Sequence, residues 1–263
     1  MPLFTIITVT YNSEKTIQRT ITSVLNQILD DYEYVIIDGD SSDMTCNIIQ
    51  RNVSSFNGKL KWLSEPDTGI YDAMNKGISR AKGQYIVIIN SDDWLEPNAL
   101  HNILCAINLQ SQSDECVYCG YVNYHYLNEE TQLLTTDHYR LRNKAKKLEA
   151  GVRFPAMIVP IQIYNKLGLY DENLKKHADV DFILRCFYAN ITFVFIDKVL
   201  SNMSDGGLST LNLMKSLDEQ KIIAKRYAHS IIDYFFNMAL WVIKRMFRTI
   251  VPHRLMVMYR KIY

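Results

Sequence analysis

Four acidic stretches carry the chemistry this chain can offer: Asp38-Gly39-Asp40, Asp67, Asn90-Ser91-Asp92-Asp93 and Asp179-Val180-Asp181. Adjacent carboxylates such as Asp92 and Asp93 repel in a cleft, so one of them would be partly protonated unless something holds both charges. A divalent cation would do so. Hard oxygen ligands select Mg²⁺ or Mn²⁺, which keep several waters and are usually completed by substrate phosphates. The alternative is that the pair opens a surface loop and caps a helix beginning near Pro97, because Asp is a favoured N-cap residue. Asp179 and Asp181 are two apart, so on a helix they point about 200° from each other and cannot serve one site equally. Cys116-Val117-Tyr118-Cys119 has no second pair and lies in a tyrosine-rich, strand-like run, which argues against zinc or redox chemistry there.

These residues need elements to hold them. Residues 4–10 form a β-rich run, and Asn12-Ser13 would cap a helix over 14–27 whose buried stripe is Ile17, Ile21, Val24 and Leu25. Residues 34–37 make a second strand that stops at Asp38, before a turn rich in hydroxyls and a helix around 46–52. Residues 62–65 read as a third strand. Ile70, Ala73, Met74, Gly77, Ile78 and Ala81 then recur at helical spacing, with Gly83 where a helix end wants a left-handed residue. The run Tyr85-Ile86-Val87-Ile88-Ile89 has no polar alternation, as expected of a strand buried on both faces of a parallel sheet. Strands alternating with helices predict a doubly wound α/β sheet, which binds ligands just beyond the carboxyl ends of its strands. No Gly-x-Gly-x-x-Gly occurs, which speaks against a dinucleotide oxidoreductase and leaves a diphosphate to a metal rather than to a helix N-terminus.

Residues 65–93, and above all Gly69-Ile70-Tyr71-Asp72-Ala73-Met74-Asn75-Lys76-Gly77-Ile78 before Asn90-Ser91-Asp92-Asp93, closely resemble family 2 glycosyltransferases of the GT-A fold. The likeness covers about residues 1–210. It implies a metal-dependent, inverting glycosyltransferase of hexosyl type, acting in surface polysaccharide synthesis. Such an enzyme moves sugar from a nucleotide-sugar donor, a UDP-sugar being favoured, to a saccharide or lipid-linked acceptor. By this resemblance Thr8, Tyr11, Asn12, Asp38, Asp67, Asn75, Lys76 and Asp92 would bind the nucleotide sugar, with Asp38 on the base and Asp92 on the ribose side. Asp93 would hold the Mn²⁺ or Mg²⁺ and Asp179 would be the catalytic base. Asp181 would cap its helix or pair with Arg185 at i+4. Turn formation is the alternative role for Asp38. Pro155-Ala156 departs from a His-Gln pair common in this branch, which would alter the acceptor pocket or reduce activity. The Gly206-Gly207-Leu208-Ser209 loop has the form of a ligand-closing hinge. Two rival readings are a nucleotidyltransferase making sugar nucleotides, against which the missing glycine-rich basic loop speaks, and a non-catalytic scaffold.

At 263 residues, 48% of them hydrophobic, the chain can bury one large domain plus an appendage. Its net charge of +1 conceals a split: residues 221–263 carry nine Lys or Arg against one Asp, leaving the remainder at −7. We therefore expect a catalytic domain over 1–210 and a basic, helical tail over 211–263. The apolar run 231–243 is too short to span a bilayer. With interleaved Trp241, Phe247, Tyr259 and Tyr263 it reads as an interfacial segment on a membrane surface, the alternatives being packing on the domain or a homodimer interface. Nucleic acid is not expected, because no recognisable fold for it is present. Five scattered cysteines and an N-terminus that passes straight into a strand predict a cytoplasmic protein, peripheral on the inner face of the membrane.

Overall fold

The structure, a computed structural model, describes residues 1–127, 130–205 and 213–250, with the side chains of 213–215 and 245–250 left aside. It divides into two compact units, Met1–Thr210 and Leu211–Tyr263.

The first unit alternates strand and helix through its first half: β1 (Phe4–Thr10), α1 (Ile17–Leu25), β2 (Tyr32–Asp38), α2 (Thr45–Asn52), β3 (Leu60–Ser64), α3 (Ile70–Arg80) and β4 (Tyr85–Ile88). There follow β5 (Trp94–Leu95), α4 (Ala99–Asn108), β6 (Cys116–His125), β7 (Thr131–Leu134), α5 (His138–Ala145), β8 (Met157–Pro160), α6 (Ile161–Leu167), α7 (Ala178–Tyr188) and β9 (Thr192–Ser204). Among the described residues these strands form one sheet in the order β3-β2-β1-β4-β8-β6-β9-β5, with β7 on β6. β3, β2, β1 and β4 are mutually parallel, β8 is antiparallel to both neighbours, and β9 is parallel to β6. The strand order reverses between β1 and β4, so the carboxyl ends of those two strands bound the crevice where such sheets bind ligands.

Burial explains the strand runs. Every residue of β1, β2 and β4 is buried, so these strands are apolar without alternation. Ile6, Ile36 and Val87 join Ile17, Ile21 and Val24 of α1 in one core, each such side chain contributing about 1.5–3 kcal/mol. On the other face Gly77 lets α3 close onto β1, because a Cβ there would stand 2.5 Å from the Ile7 Cγ2. Gly83 departs from expectation. α3 stops at Arg80 with Ala81 in extended backbone, and Gly83 is not left-handed. It is glycine because a Cβ would lie 2.4 Å from the backbone nitrogen of Thr5, which cannot move without breaking β1.

Another expectation changes. The first helix begins only at Ile17; Asn12 adopts a left-handed backbone (φ 47°) and its side chain accepts from the Ser42 N–H instead of capping α1. Beyond residues 128–129, which lie outside the described residues, the polar stretch up to residue 152 forms β7 and an Asp137-capped α5. β9 runs for 13 residues, held along β6 by nine register pairs that the apolar pattern of either strand alone does not reveal. The glycine-hinge loop expected at 206–209 lies outside the described residues.

The second unit contains α8 (Leu213–Tyr227) packed on α9 (Ile231–Ile250). α9 is longer than the apolar run that predicted it, yet among the described residues no helix is long and apolar enough to cross a membrane. The expected basic and aromatic residues Arg254, Tyr259, Arg260, Lys261 and Tyr263 lie outside the described residues.

Candidate active site

The loops after β1, β2, β3 and β4 meet at one end of the sheet because those strands run parallel. The Asn12 backbone N–H donates to the Ser41 Oγ, and the Asn12 side-chain Oδ1 accepts from the Ser42 N–H at 2.9 Å, which braces the first loop on the second. The Ser13 and Ser91 hydroxyls meet at 2.8 Å, joining the first loop to the acidic turn after β4. Between the loops lies a cleft of about 300 Å³ lined by Tyr11, Gly39, Asp40, Pro66 and Asp67. Tyr11 is 63% exposed at its mouth. Gly39 leaves room for the Asp67 carboxylate, whose Oδ2 would stand 2.4 Å from a Cβ there and would have to swing aside. A larger hollow, about 800 Å³, lies at the opposite, amino ends of the strands around Met1, Lys82, Gln84 and Asp114. It is at the wrong end of a parallel sheet for a ligand site.

Of the expected site residues, Tyr11 and Asp67 line this cleft and Asn12 braces it. Asp38 does not face it. Its carboxylate is fully buried and accepts from the Ser41 N–H and Oγ–H, the Ser64 hydroxyl and the Cys46 thiol, so the turn consumes its acceptor capacity. Asp40, exposed and left-handed, stands at the cleft wall. Thr8 is also inside the sheet, its hydroxyl accepting from Tyr34 at 2.9 Å. Lys76 is held by Glu65 at 3.2 Å and Asp72 at 3.4 Å and donates to the Pro66 carbonyl, so it shapes the Asp67 loop from behind. Asn75 points the other way. Its amide donates to the Tyr170 carbonyl and to Glu172, and its oxygen accepts from the Tyr170 N–H.

The acidic turn resolves into two unlike carboxylates. Asp93 is 2% exposed, and its Oδ1 accepts from the Ser204 N–H at 3.2 Å. Burial, with the charge of Asp92 added, pushes its pKa up to about 8 against the opposing effects of Ser204, Arg19 and the Asn90 side chain. Part of that rise is the like charge of Asp92, which a cation held between the two carboxylates would offset. Asp92 is only partly buried; burial raises its pKa and its own backbone N–H and Arg19 act against that. In the same turn the Asn90 side chain bonds to Asp93, and its Oδ1 is buried with no hydrogen-bond partner. That orphaned oxygen and the two carboxylates are the hard donors that the turn offers to a cation. Among the described residues no three His, Cys, Asp or Glu side chains gather, so the protein alone forms no cage. This donor set fits Mg²⁺ or Mn²⁺ only when a diphosphate and waters complete the shell.

Arg19 was not singled out from the sequence. Its guanidinium donates to the Asp92 carbonyl and the Ser204 hydroxyl, both at 2.7 Å, and stacks 3.7 Å from the Trp94 ring. It ties α1 to the acidic turn and to the end of β9. Only its place one helical turn before the half-buried Ser23 marks it in sequence, and that signal is too weak to read.

Beside the first turn of α3, Asp179 sits half-buried in the first turn of α7 and accepts from the Tyr71 hydroxyl at 2.8 Å. Burial raises its pKa; the Tyr71 hydrogen bond, the Val180 N–H and His177 counteract this. Asp181 is buried and paired with Arg185 at 2.9 Å, the structural partner expected for it. Pro155 and Ala156 are buried in a short turn that packs on β6 and β9.

A profile of glycosyl transferase family 2 matches residues 5–166, well over half of the chain and including every loop of the cleft. The chain belongs to glycosyl transferase family 2. It is similar to a chondroitin synthase of Pasteurella multocida (29% identical over 222 residues, 84% of this chain and 22% of that protein). It is also similar to an uncharacterised glycosyltransferase of Rickettsia prowazekii (25% over 227 residues, 83% of this chain and 69% of that protein). The chain thus spans from about a fifth to about two thirds of these relatives' lengths. Among solved structures, Staphylococcus aureus TarS 1–349 with UDP-GlcNAc superposes with a TM-score of 0.68 at 19% identity, covering 94% of this chain and 73% of that one. GalNAc-T7 with UDP, GalNAc and Mn²⁺ superposes at 0.69 and 15% identity, covering 90% and 50%. This family 2 member has the GT-A fold, as its motifs predicted.

Proposed function

We propose that this protein is an inverting glycosyltransferase that moves a sugar from a nucleotide-sugar donor, a UDP-sugar by preference, to a hydroxyl of a saccharide or lipid-linked acceptor in surface polysaccharide synthesis. The observation that carries this reading is the nucleoside-sized cleft at the sheet's switch point, with the acidic turn after β4 joined to the same loops through Ser13 and Ser91. The donor's base lies against Tyr11, between Asp40 and Asp67, and its diphosphate reaches the acidic turn. Asp93, with Asp92 beside it in sequence, would hold Mn²⁺ or Mg²⁺ there, and the bound ion would supply charge neutralisation to the departing diphosphate. Asp179 accepts the acceptor hydroxyl's proton as that oxygen bonds to the anomeric carbon and the bond to the diphosphate breaks. Burial keeps the Asp179 carboxylate basic, and Tyr71 keeps enough of it ionised to act. The names and bound ligands of the similar chondroitin synthase and TarS support the substrate class.

Thermal shift with UDP-, GDP- and dTDP-sugars tests the donor assignment. A ligand that binds only the native state raises the melting temperature, by an amount set by its concentration over Kd. A UDP-sugar with Mn²⁺ is expected to stabilise the chain most. A flat response to every nucleotide would remove the assignment.

The second unit supports peripheral attachment to the cytoplasmic face of a membrane. Ile231, Ile232, Phe235, Phe236, Ala239 and Ile243 are all exposed, and at 100° per residue they fall within one sector of α9 about 140° wide. Leu240 and Trp241, which the sequence suggested would enter the lipid, are turned partly inward. The outward stripe is therefore carried by Phe235 and Phe236, 63% and 60% exposed. The surplus of eight positive charges over 221–263 suits an anionic surface at roughly 1 kcal/mol for each residue that reaches it. The full chain should float with anionic vesicles and release in high salt, whereas Phe235→Asp/Phe236→Asp should stay at the bottom of the gradient. Dimerisation of the wild type without vesicle binding would give this face to a second copy instead.

A further inference from the structure

We propose that Tyr71 is a positioning residue for the catalytic carboxylate: from the first turn of α3 its hydroxyl aims Asp179 at the acceptor and holds it as the anion. The inference rests on the reading of Asp179 as the base. It starts from a division of labour on α3 that the motif conceals. Asp72 and Lys76 lie at i, i+4 and brace the Asp67 loop, the donor side. Tyr71 and Asn75 lie at i, i+4 on the adjoining stripe and both face the segment that leads into α7. Asn75 clamps the Tyr170 backbone through its N–H and its carbonyl, at 3.0 and 2.9 Å. The Tyr71 ring packs on Tyr170 with centroids 5.6 Å apart, and Tyr170 in turn packs on Phe182 of α7 at 5.2 Å. Tyr71 is itself 7% exposed, so its hydroxyl has little freedom to swing away.

The chemistry follows from what faces Asp179. From α3 comes the Tyr71 hydroxyl; from the segment before α7 come His177 and the buried Tyr170; from α7 itself comes the Val180 N–H. Tyr170 is kept neutral by burial and by its bond to Tyr164, so it adds no charge. Among these groups the tyrosine hydroxyl makes the side-chain hydrogen bond that selects the ionised carboxylate and fixes which oxygen remains to take a proton. An acceptor hydroxyl approaching Asp179 therefore meets a carboxylate whose Oδ1 is already turned to Tyr71.

The test uses the full chain labelled with ¹³C at aspartate carboxyls, the Asp179 resonance being assigned by its loss in Asp179→Asn. In Tyr71→Phe the ring stays against Tyr170, and the variant should melt within a few degrees of the wild type. Its Asp179 midpoint should move up by about one pH unit, a tenfold change in proton affinity. The acid limb of turnover, measured with the UDP-sugar that stabilises the chain most, should move up with it. Asn75→Ala loosens the Tyr170 segment without touching the hydroxyl and should leave the midpoint in place. An unchanged midpoint in Tyr71→Phe overturns the inference, and so does an equal shift in Asn75→Ala, which would mark general loosening. If Asp179→Asn itself keeps full turnover, the base reading fails first and this inference with it. If Asp179→Asn is inactive while the Tyr71→Phe midpoint stays put, only the role of Tyr71 falls.

Discussion

Asp179→Asn should lower turnover by about 10²-fold or more, the usual scale for losing a general base, while donor affinity stays at the wild-type value. The amide can still accept from Tyr71 through its oxygen, so the local geometry survives and the loss is chemical. Steady-state release of UDP with Mn²⁺ and an acceptor reports the first quantity, and isothermal titration of UDP reports the second. Asp181→Asn is the control. It breaks the buried pair with Arg185 and leaves that guanidinium with only the carbonyls of Leu167, Gly168 and Leu169. Removing one partner of such a pair costs about 3–5 kcal/mol, so that variant should lose stability before it loses chemistry. If Asp181→Asn instead folds normally and is the one that loses turnover, the roles of the two carboxylates are exchanged.

Asp93→Asn should abolish the Mn²⁺ dependence of UDP binding, whereas Asp92→Asn should weaken UDP binding with and without the ion. The contrast is informative because the residues are neighbours and carry the same side chain. Asp93 is buried and bonded to the Ser204 N–H, so an amide replaces it almost isosterically and removes only the charge that a cation needs. Asp92 is only partly buried, and replacing its carboxylate removes a charge from the open side of the same turn. Titrating UDP with and without Mn²⁺ into both variants reads the difference directly. Equal metal dependence in wild type and Asp93→Asn would take Asp93 out of the metal site, and loss only in Asp92→Asn would give that site to Asp92.

The alternation of strands and helices, the doubly wound sheet and the placing of acidic turns at strand ends are all legible in the residues. The reason is physical: strands buried on both faces must be apolar throughout, and helices lying on them must repeat every three or four residues. The Asp181–Arg185 pair is legible for the same reason, being local to one helix. What a side chain does at the end of a strand depends instead on partners far away in sequence. Asp38 is satisfied by Ser64 across β3, Thr8 by Tyr34 on β2 and Asn75 by Tyr170, and each of these partners ties a residue expected at the ligand into the packed chain. The same long-range packing brings Tyr71 to Asp179, 108 positions later, and decides which side of an apolar helix is left outward. Sequence by itself determined the family, the fold and the end of the sheet where chemistry takes place, because periodicity and motif spacing are local. That Asp93 is buried while its neighbour Asp92 is half-exposed was decided only by tertiary structure, because burial and hydrogen-bond saturation are properties of the packed chain.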